Sequence, residues 1–386
     1  MVSTLAAALL LSSQPAPDFK SVWGTVQSAI RQRYYARRTR AEEMEKLFQK
    51  FGPQAEAAKS QADFSTAVNS LIDAFQDSHF AFATTDDQSF YFMDAILKQE
   101  RSKLMPHIGV WFKKNPAGEY EARMVLDGLA AAAAGIRKGD IVMQVNGKPF
   151  SPVSSLRGHV GSKPEFTIKR GATTLNIAVQ VAEGRPTDMF FNATRTSARV
   201  IEHQGKSFGY LRCWSMIEDR FKNFLSMYVL RGAGMNTDGF ILDLRDGFGG
   251  RPEGYYEMFF GPEMTVTWDI SGMKQNQLTG YARPLIVLTN RGTRSAKEVV
   301  SMVFKGSSRA TLIGDTTAGD VLGTSPMPVQ DWAYLEIPMV DLSMEGVRLE
   351  DRGVDPHISL PNEYAADGTD LYLQRALAEL MKPSTR

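Results

Sequence analysis

Ser295 sits where a serine can act as a nucleophile. In the passage LIVLTNRGTRSAKEVVSMVF an apolar strand runs into a short loop, and a helix opens at Ser295. A helix N-terminus brings partial positive charge and unpaired backbone amides, both of which favour an alkoxide and the oxyanion of a tetrahedral intermediate. The same residues, Ser295-Ala296-Lys297-Glu298, also spell a capping box, a purely structural helix start. The passage alone leaves both readings open. A second passage, FILDLRDGFGGRPEGY, ends an apolar strand in Arg245 and a turn through Gly247, Gly249 and Gly250. Glycine there lets the backbone approach a bound group and donate its amides, although a bare turn would look the same. His79, in Asp77-Ser78-His79, is one of five histidines. An imidazole can take a hydroxyl proton, but at a helix end it can equally answer the dipole, and local sequence favours the second use. Lys297, two positions beyond Ser295, points to a different helix face and reads as a solvated surface charge. His107, His159, His203 and His357 fall in no metal-ligand spacing and read as incidental. No metal or organic cofactor is expected.

These residues need elements to hold them. Over 18–104 the pattern is helical, with Phe64, Val68, Leu71, Ile72 and Phe75 at three- and four-residue spacings and an end near Gln76 to His79. A unit at 105–184 reads as short strands. From 185 to 386 strands and helices alternate, with strands at 208–211, 239–244 and 284–288 and helices expected around 252–259 and 296–304. That alternation predicts an α/β core with a partly parallel sheet.

The chain has 386 residues, 43% of them hydrophobic, enough for two or three cores. Its 44 Lys and Arg stand against 43 Asp and Glu, which gives no field for phosphate backbones or anionic lipid, so nucleic acid is not expected as a partner. The one cysteine, Cys213, forms no internal disulfide and no multi-thiolate metal cluster. Residues 1–17 carry a short apolar run before Pro15 and Pro17 and resemble a secretory leader, which predicts export to a periplasmic or extracellular space. No later stretch is apolar enough to span a membrane.

Within 105–184 the stretch AAAAGIRKGDIVMQVNGKPF resembles the PDZ domain in the form found in bacterial proteases. Gly135 closes a small helix, Gly139-Asp140 turns the chain, and Asn146-Gly147 makes a hairpin after the strand from Ile141 to Val145. The resemblance implies capture of a peptide as an added strand, its terminal carboxylate held by the amides of Ile108, Gly109 and Val110. Gly109 as a mere tight turn is the equal alternative.

Taken together, Leu242-Asp243-Leu244-Arg245 with Gly249-Gly250, then Asn290, Thr293 and Ser295 through Glu298, then Arg309, Ile313-Gly314 and Thr317-Ala318-Gly319, resemble the carboxyl-terminal processing proteases. The lysine-dependent branch would have its base after the last segment, where this chain has Asp320. The tricorn-core branch instead takes a histidine from before the PDZ unit, which His79 matches, with Ser78 directly before it. Its glutamate matches Glu350, in Glu350-Asp351-Arg352-Gly353-Val354-Asp355-Pro356. The resemblance therefore implies a crotonase/ClpP-like spiral core with an N-terminal helical segment and an inserted PDZ-like β-rich domain. It also implies a serine peptidase acting on polypeptides, in which Ser295 attacks, His79 moves the proton, Glu350 acts through the Ser78 hydroxyl to hold the ring, and Ala296 with Gly249 or Gly250 binds the oxyanion. The alternatives are a PDZ adaptor with decayed chemistry and, last, acyl-thioester chemistry by fold analogy. Oligomeric state is not legible.

Overall fold

The computed structural model describes residues 17–383. The expected leader, apart from Pro17, lies outside them. A six-stranded sheet forms the centre, in the spatial order Arg199–His203, Lys206–Arg212, Gly239–Asp243, Leu285–Thr289, Thr311–Gly314 and Ile358–Ser359. Only the first pair is antiparallel. Gly239–Asp243 and Leu285–Thr289 are buried throughout, the continuous apolar reading expected of parallel strands covered on both faces. Alternation sorts their side chains: Tyr210, Ile241, Leu288 and Ile313 meet the helix Leu371–Leu380. Leu211, Leu242, Val287 and Leu312 face the opposite core, which includes Val300 and Phe304 of the helix Ala296–Ser307.

The helix expected over 252–259 does not form. Pro252 has no amide to donate and Gly254 takes φ +89°, so only a 3-10 turn, Glu257–Phe259, remains. Before it, Phe248–Gly250 is extended and pairs with Ser215–Met216.

The early helices Phe19–Arg33, Ala41–Glu56 and Gln61–Phe75 do not close a core by themselves. They pack with a three-stranded antiparallel sheet of Ala81–Thr84, Ala333–Val340 and Gly323–Gln330. Phe19, Phe64 and Phe82 surround Trp332 at that junction. The beginning of the chain is thereby tied to strands that follow the Ser295 helix.

Within 105–184 an open antiparallel sheet encloses its own hydrophobic cluster, which includes Ile108, Phe112, Val142, Phe166 and Ile168. The unit's entry and exit strands pair, Met105 opposite Gly184. The short helix is Ala130–Ala133, and Asn146 and Gly147 both take positive φ, as a two-residue hairpin requires. Val110–Lys114 lies at the edge of the sheet. That edge is not bare at Val110 and Phe112: the buried carboxamide of Gln88 donates to the Val110 carbonyl (2.9 Å) and accepts from the Phe112 amide (2.8 Å).

Candidate active site

Ser295 is the last residue before the helix Ala296–Ser307 and has φ +59°, ψ −133°. This is a region that L-residues avoid, and such strain persists only when its surroundings fix it. They do so here through several loops. Asn290 Oδ1 accepts from the Asp246 and Gly292 amides (3.0 and 2.9 Å), and the Thr293 hydroxyl donates to the Leu244 carbonyl (3.0 Å). The Ser295 amide donates to the Asp320 carbonyl (2.7 Å) and to Glu298 Oε2 (3.1 Å). Glu298, fully buried, also accepts from the Thr317 hydroxyl (2.6 Å) and the amides of Gly319 and Asp320 (2.7 and 2.9 Å). Burial raises its pKa against those four donors. Glu298 therefore does more than cap the helix, because it welds the Ser295 turn to the 317–320 loop.

Gly249 lies directly against the serine. A Cβ there would fall 2.5 Å from Ser295 Cβ, 2.7 Å from its Oγ and 2.7 Å from the Ala296 amide nitrogen. Only a residue without a side chain permits that approach. Gly250 is crowded elsewhere, against the Met216 carbonyl.

Lys297 corrects the expectation of a solvated surface charge. It is fully buried and donates to the carbonyls of Cys213 and Asp246, the latter at 2.6 Å. Helix geometry turns it away from Ser295, but into the floor beneath Gly247 rather than into solvent. Burial lowers its pKa to about 8. Asp246 is itself paired with Lys138 of the inserted unit and with Arg212, both at 2.9 Å.

His79 arrives from the early helices. Gln61–Phe75 ends at Gln76 in the left-handed region, and His79 follows with φ +55°. Asp77 anchors this turn: its carboxylate accepts from the hydroxyls of Tyr34 and Tyr35, the latter at 2.9 Å, and from Arg40 (2.9 Å). Arg40 also donates to the Phe75 carbonyl (2.9 Å). Ser78 Oγ lies 2.9 Å from His79 Nδ1. Glu350, 4% exposed, accepts from the Ser78 amide (3.2 Å) and from the amides of Val321 and Leu322 (2.7 and 3.2 Å). The carboxylate thus grips the main chain at Ser78, where an action through the hydroxyl had been expected. Burial, with the Arg294 guanidinium adding to it, lowers the His79 pKa to about 3, so the imidazole is neutral at ordinary pH.

His79, Gly249, Gly250 and Ser295 line one cavity of about 980 Å³. Its wall also includes Trp111 and Arg123 of the inserted unit, together with Phe248, Arg294 and Glu336. Ile108 and Val110 are buried outside this cavity, and Gly109 takes φ +83° against Leu129. Among the described residues no group of three or more His, Cys, Asp or Glu side chains is placed to hold a metal ion.

Residues 207–360 match peptidase family S41. The S41 stretch contains Ser295 and Glu350 but neither Ser78 nor His79. The chain is 26% identical over 260 residues to a carboxyl-terminal-processing protease of Synechocystis sp., covering 60% of this chain and 56% of that relative. It thus spans little more than half that protein's length. Among solved structures it resembles the photosystem II D1 C-terminal processing protease, with TM-score 0.57 and 17% identity over 95% of this chain and 98% of that one. It also resembles the tricorn protease, with TM-score 0.57 and 16% identity over 94% of this chain and 36% of the other. At such identities the two structures share a fold.

Several contributors escaped the sequence reading. Asn290 and Thr293 were visible only as letters of a motif, whereas Arg40, Tyr34 and Tyr35 carry no local signal at all. A buried partner for Asp77 could have been sought from its place at a helix end, but not named.

Proposed function

We propose that this chain is a serine peptidase that hydrolyses polypeptides with Ser295 as nucleophile and His79 as base. The observation carrying the proposal is the meeting of Ser295, His79 and Gly249 on one cavity, although the residues come from distant parts of the chain. The S41 match and the processing-protease relative support the same reaction class.

In this reading Ser295 Oγ attacks the peptide carbonyl while its proton passes to His79 Nε2. Nδ1 carries the other proton and donates it to Ser78 Oγ, which fixes the tautomer. Glu350 holds the Ser78 backbone and so the position of the ring. The tetrahedral oxyanion is received by the Ala296 amide at the helix N-terminus and by an amide of Gly249 or Gly250. On collapse His79 returns the proton to the leaving amine, and water then cleaves the acyl-enzyme by the same route. The PDZ-like unit would supply recognition of substrate tails, and the leader would direct export. An adaptor role without catalysis finds less support, because the serine retains its strained turn and its histidine.

A fluorophosphonate probe tests the assignment. Labelling of the wild type that is lost in Ser295→Ala, with cleavage of an unfolded polypeptide lost in His79→Ala, is the expected result. Equal cleavage by wild type and His79→Ala would remove the histidine from the mechanism.

A further inference from the structure

Two guanidinium groups reach the same cavity as Ser295 from different units. Arg294 is the residue before the serine, and Arg123 comes from the strand Tyr120–Val125 of the inserted unit. Burial and the charge of Arg294 both lower the pKa of Arg123, so the two cations feel each other. Arg294 Nε is buried without a hydrogen-bond partner among the described residues. Arg123 makes no side-chain hydrogen bond or ion pair among them. Among the described residues Asp320 is the acid that pairs with Arg294, and none pairs with Arg123. Asp246 is taken by Lys138 and Arg212, and Asp320 stands 3.5 Å from Arg294 with a side chain 36% exposed. Glu336, also on the cavity wall, is pushed up to about 7 by burial, against the opposing pull of the Arg294 charge and the Thr324 hydroxyl. Arg123, half-buried, is left without an anionic partner, and the Arg294 pair with Asp320 is long and half open to solvent, so an arriving anion would relieve the cost of holding two cations together.

We infer that Arg123 and Arg294 together form a receptor for a substrate carboxylate close to the scissile bond, supplied by a free C-terminus or by an acidic side chain. The inference rests on the peptidase reading of the same cavity. It has a chemical corollary: the anion would offset the Arg294 charge that disfavours a protonated His79, so its binding would assist proton transfer as well as docking.

The test uses the full chain and a cleavage site mapped first on an unfolded polypeptide. Two peptide pairs are built around that site. One ends just beyond it as free acid or amide, and the other is blocked at both ends with Glu or Gln beside the scissile bond. Charge-assisted pairing predicts that the acid member of one pair is preferred in kcat/KM by about tenfold or more. The pair showing the preference identifies the source of the carboxylate. Within Arg123→Gln and Arg294→Gln the ratio is expected to collapse to about one, and Arg123→Lys should restore part of it. Acid-to-amide ratios near one in the wild type, or unchanged in both glutamine variants, would overturn the receptor. Binding of the same peptides to Ser295→Ala by fluorescence anisotropy separates the two readings. Preference in binding without turnover by the wild type sinks the peptidase and keeps the receptor, whereas turnover without preference does the reverse.

Discussion

At Gly249 the absence of one carbon decides what Ser295 can reach. Alanine there would drive its methyl into the serine hydroxyl and the Ala296 amide, at separations real Cβ atoms do not adopt. Gly249→Ala is therefore expected to lower kcat/KM by at least about a hundredfold, the scale of losing an oxyanion donor. Circular dichroism should remain native, and fluorophosphonate labelling should slow in parallel. Glu336 makes a different demand. Its folded pKa of about 7 lies above the ordinary glutamate value of 4.5, so the folded state holds a proton that the unfolded state has released between those limits. Stability attributable to this group is complete below about 4.5 and is lost as pH rises through about 7. Glu336→Gln should therefore raise the melting temperature at pH 8 relative to wild type and leave it nearly unchanged at pH 4, as differential scanning fluorimetry at both pH values would show. His79 acts in the opposite sense: its pKa falls from 6.5 to about 3 on folding, so acidification between those values destabilises the fold.

The elements that deliver these residues were unevenly legible. The buried strands at 239–244 and 284–288 announce themselves as apolar runs, and the helix after Ser295 starts where its cap is written. By contrast, 252–259 has helical spacing of its aromatics, but Pro252 and Gly254 override it. The antiparallel pair Gly323–Gln330 and Ala333–Val340 carries three prolines, residues that argue against a strand, yet it completes the layer on which the early helices rest. The turn bearing His79 depends on that layer and on Asp77. Replacing Asp77 with alanine removes the acceptor shared by Tyr34, Tyr35 and Arg40, a loss of about 1–3 kcal/mol by the usual cost of an unpaired buried group. Kinetics should separate this from simple unfolding: in the folded fraction of Asp77→Ala, kcat falls while KM stays near the wild-type value. A parallel fall in stability with kcat intact would show that the anchor matters only for folding.

Across the whole molecule, long-range closure is what one-dimensional reading could not supply. Ser295 and the glycine turn were candidates from their own neighbourhoods, but the route that brings His79 to them runs through Trp332 and Glu350, some 250 to 270 positions later in the chain. The inserted unit, recognisable from its glycine-aspartate turn and hairpin, joins the core through Lys138 on Asp246 and through Arg123 in the shared cavity. The charge of Lys297 went astray for the same reason, since a helix face says nothing about which loops will later cover it. Gln88 carries the final consequence of this closure. Its carboxamide impersonates one residue of a neighbouring strand and is already ordered on its helix, so the entropy of docking has been spent within the chain. An external peptide competing for those two backbone positions meets an incumbent, and its apparent affinity is scaled down by the fraction of molecules in which the glutamine has let go.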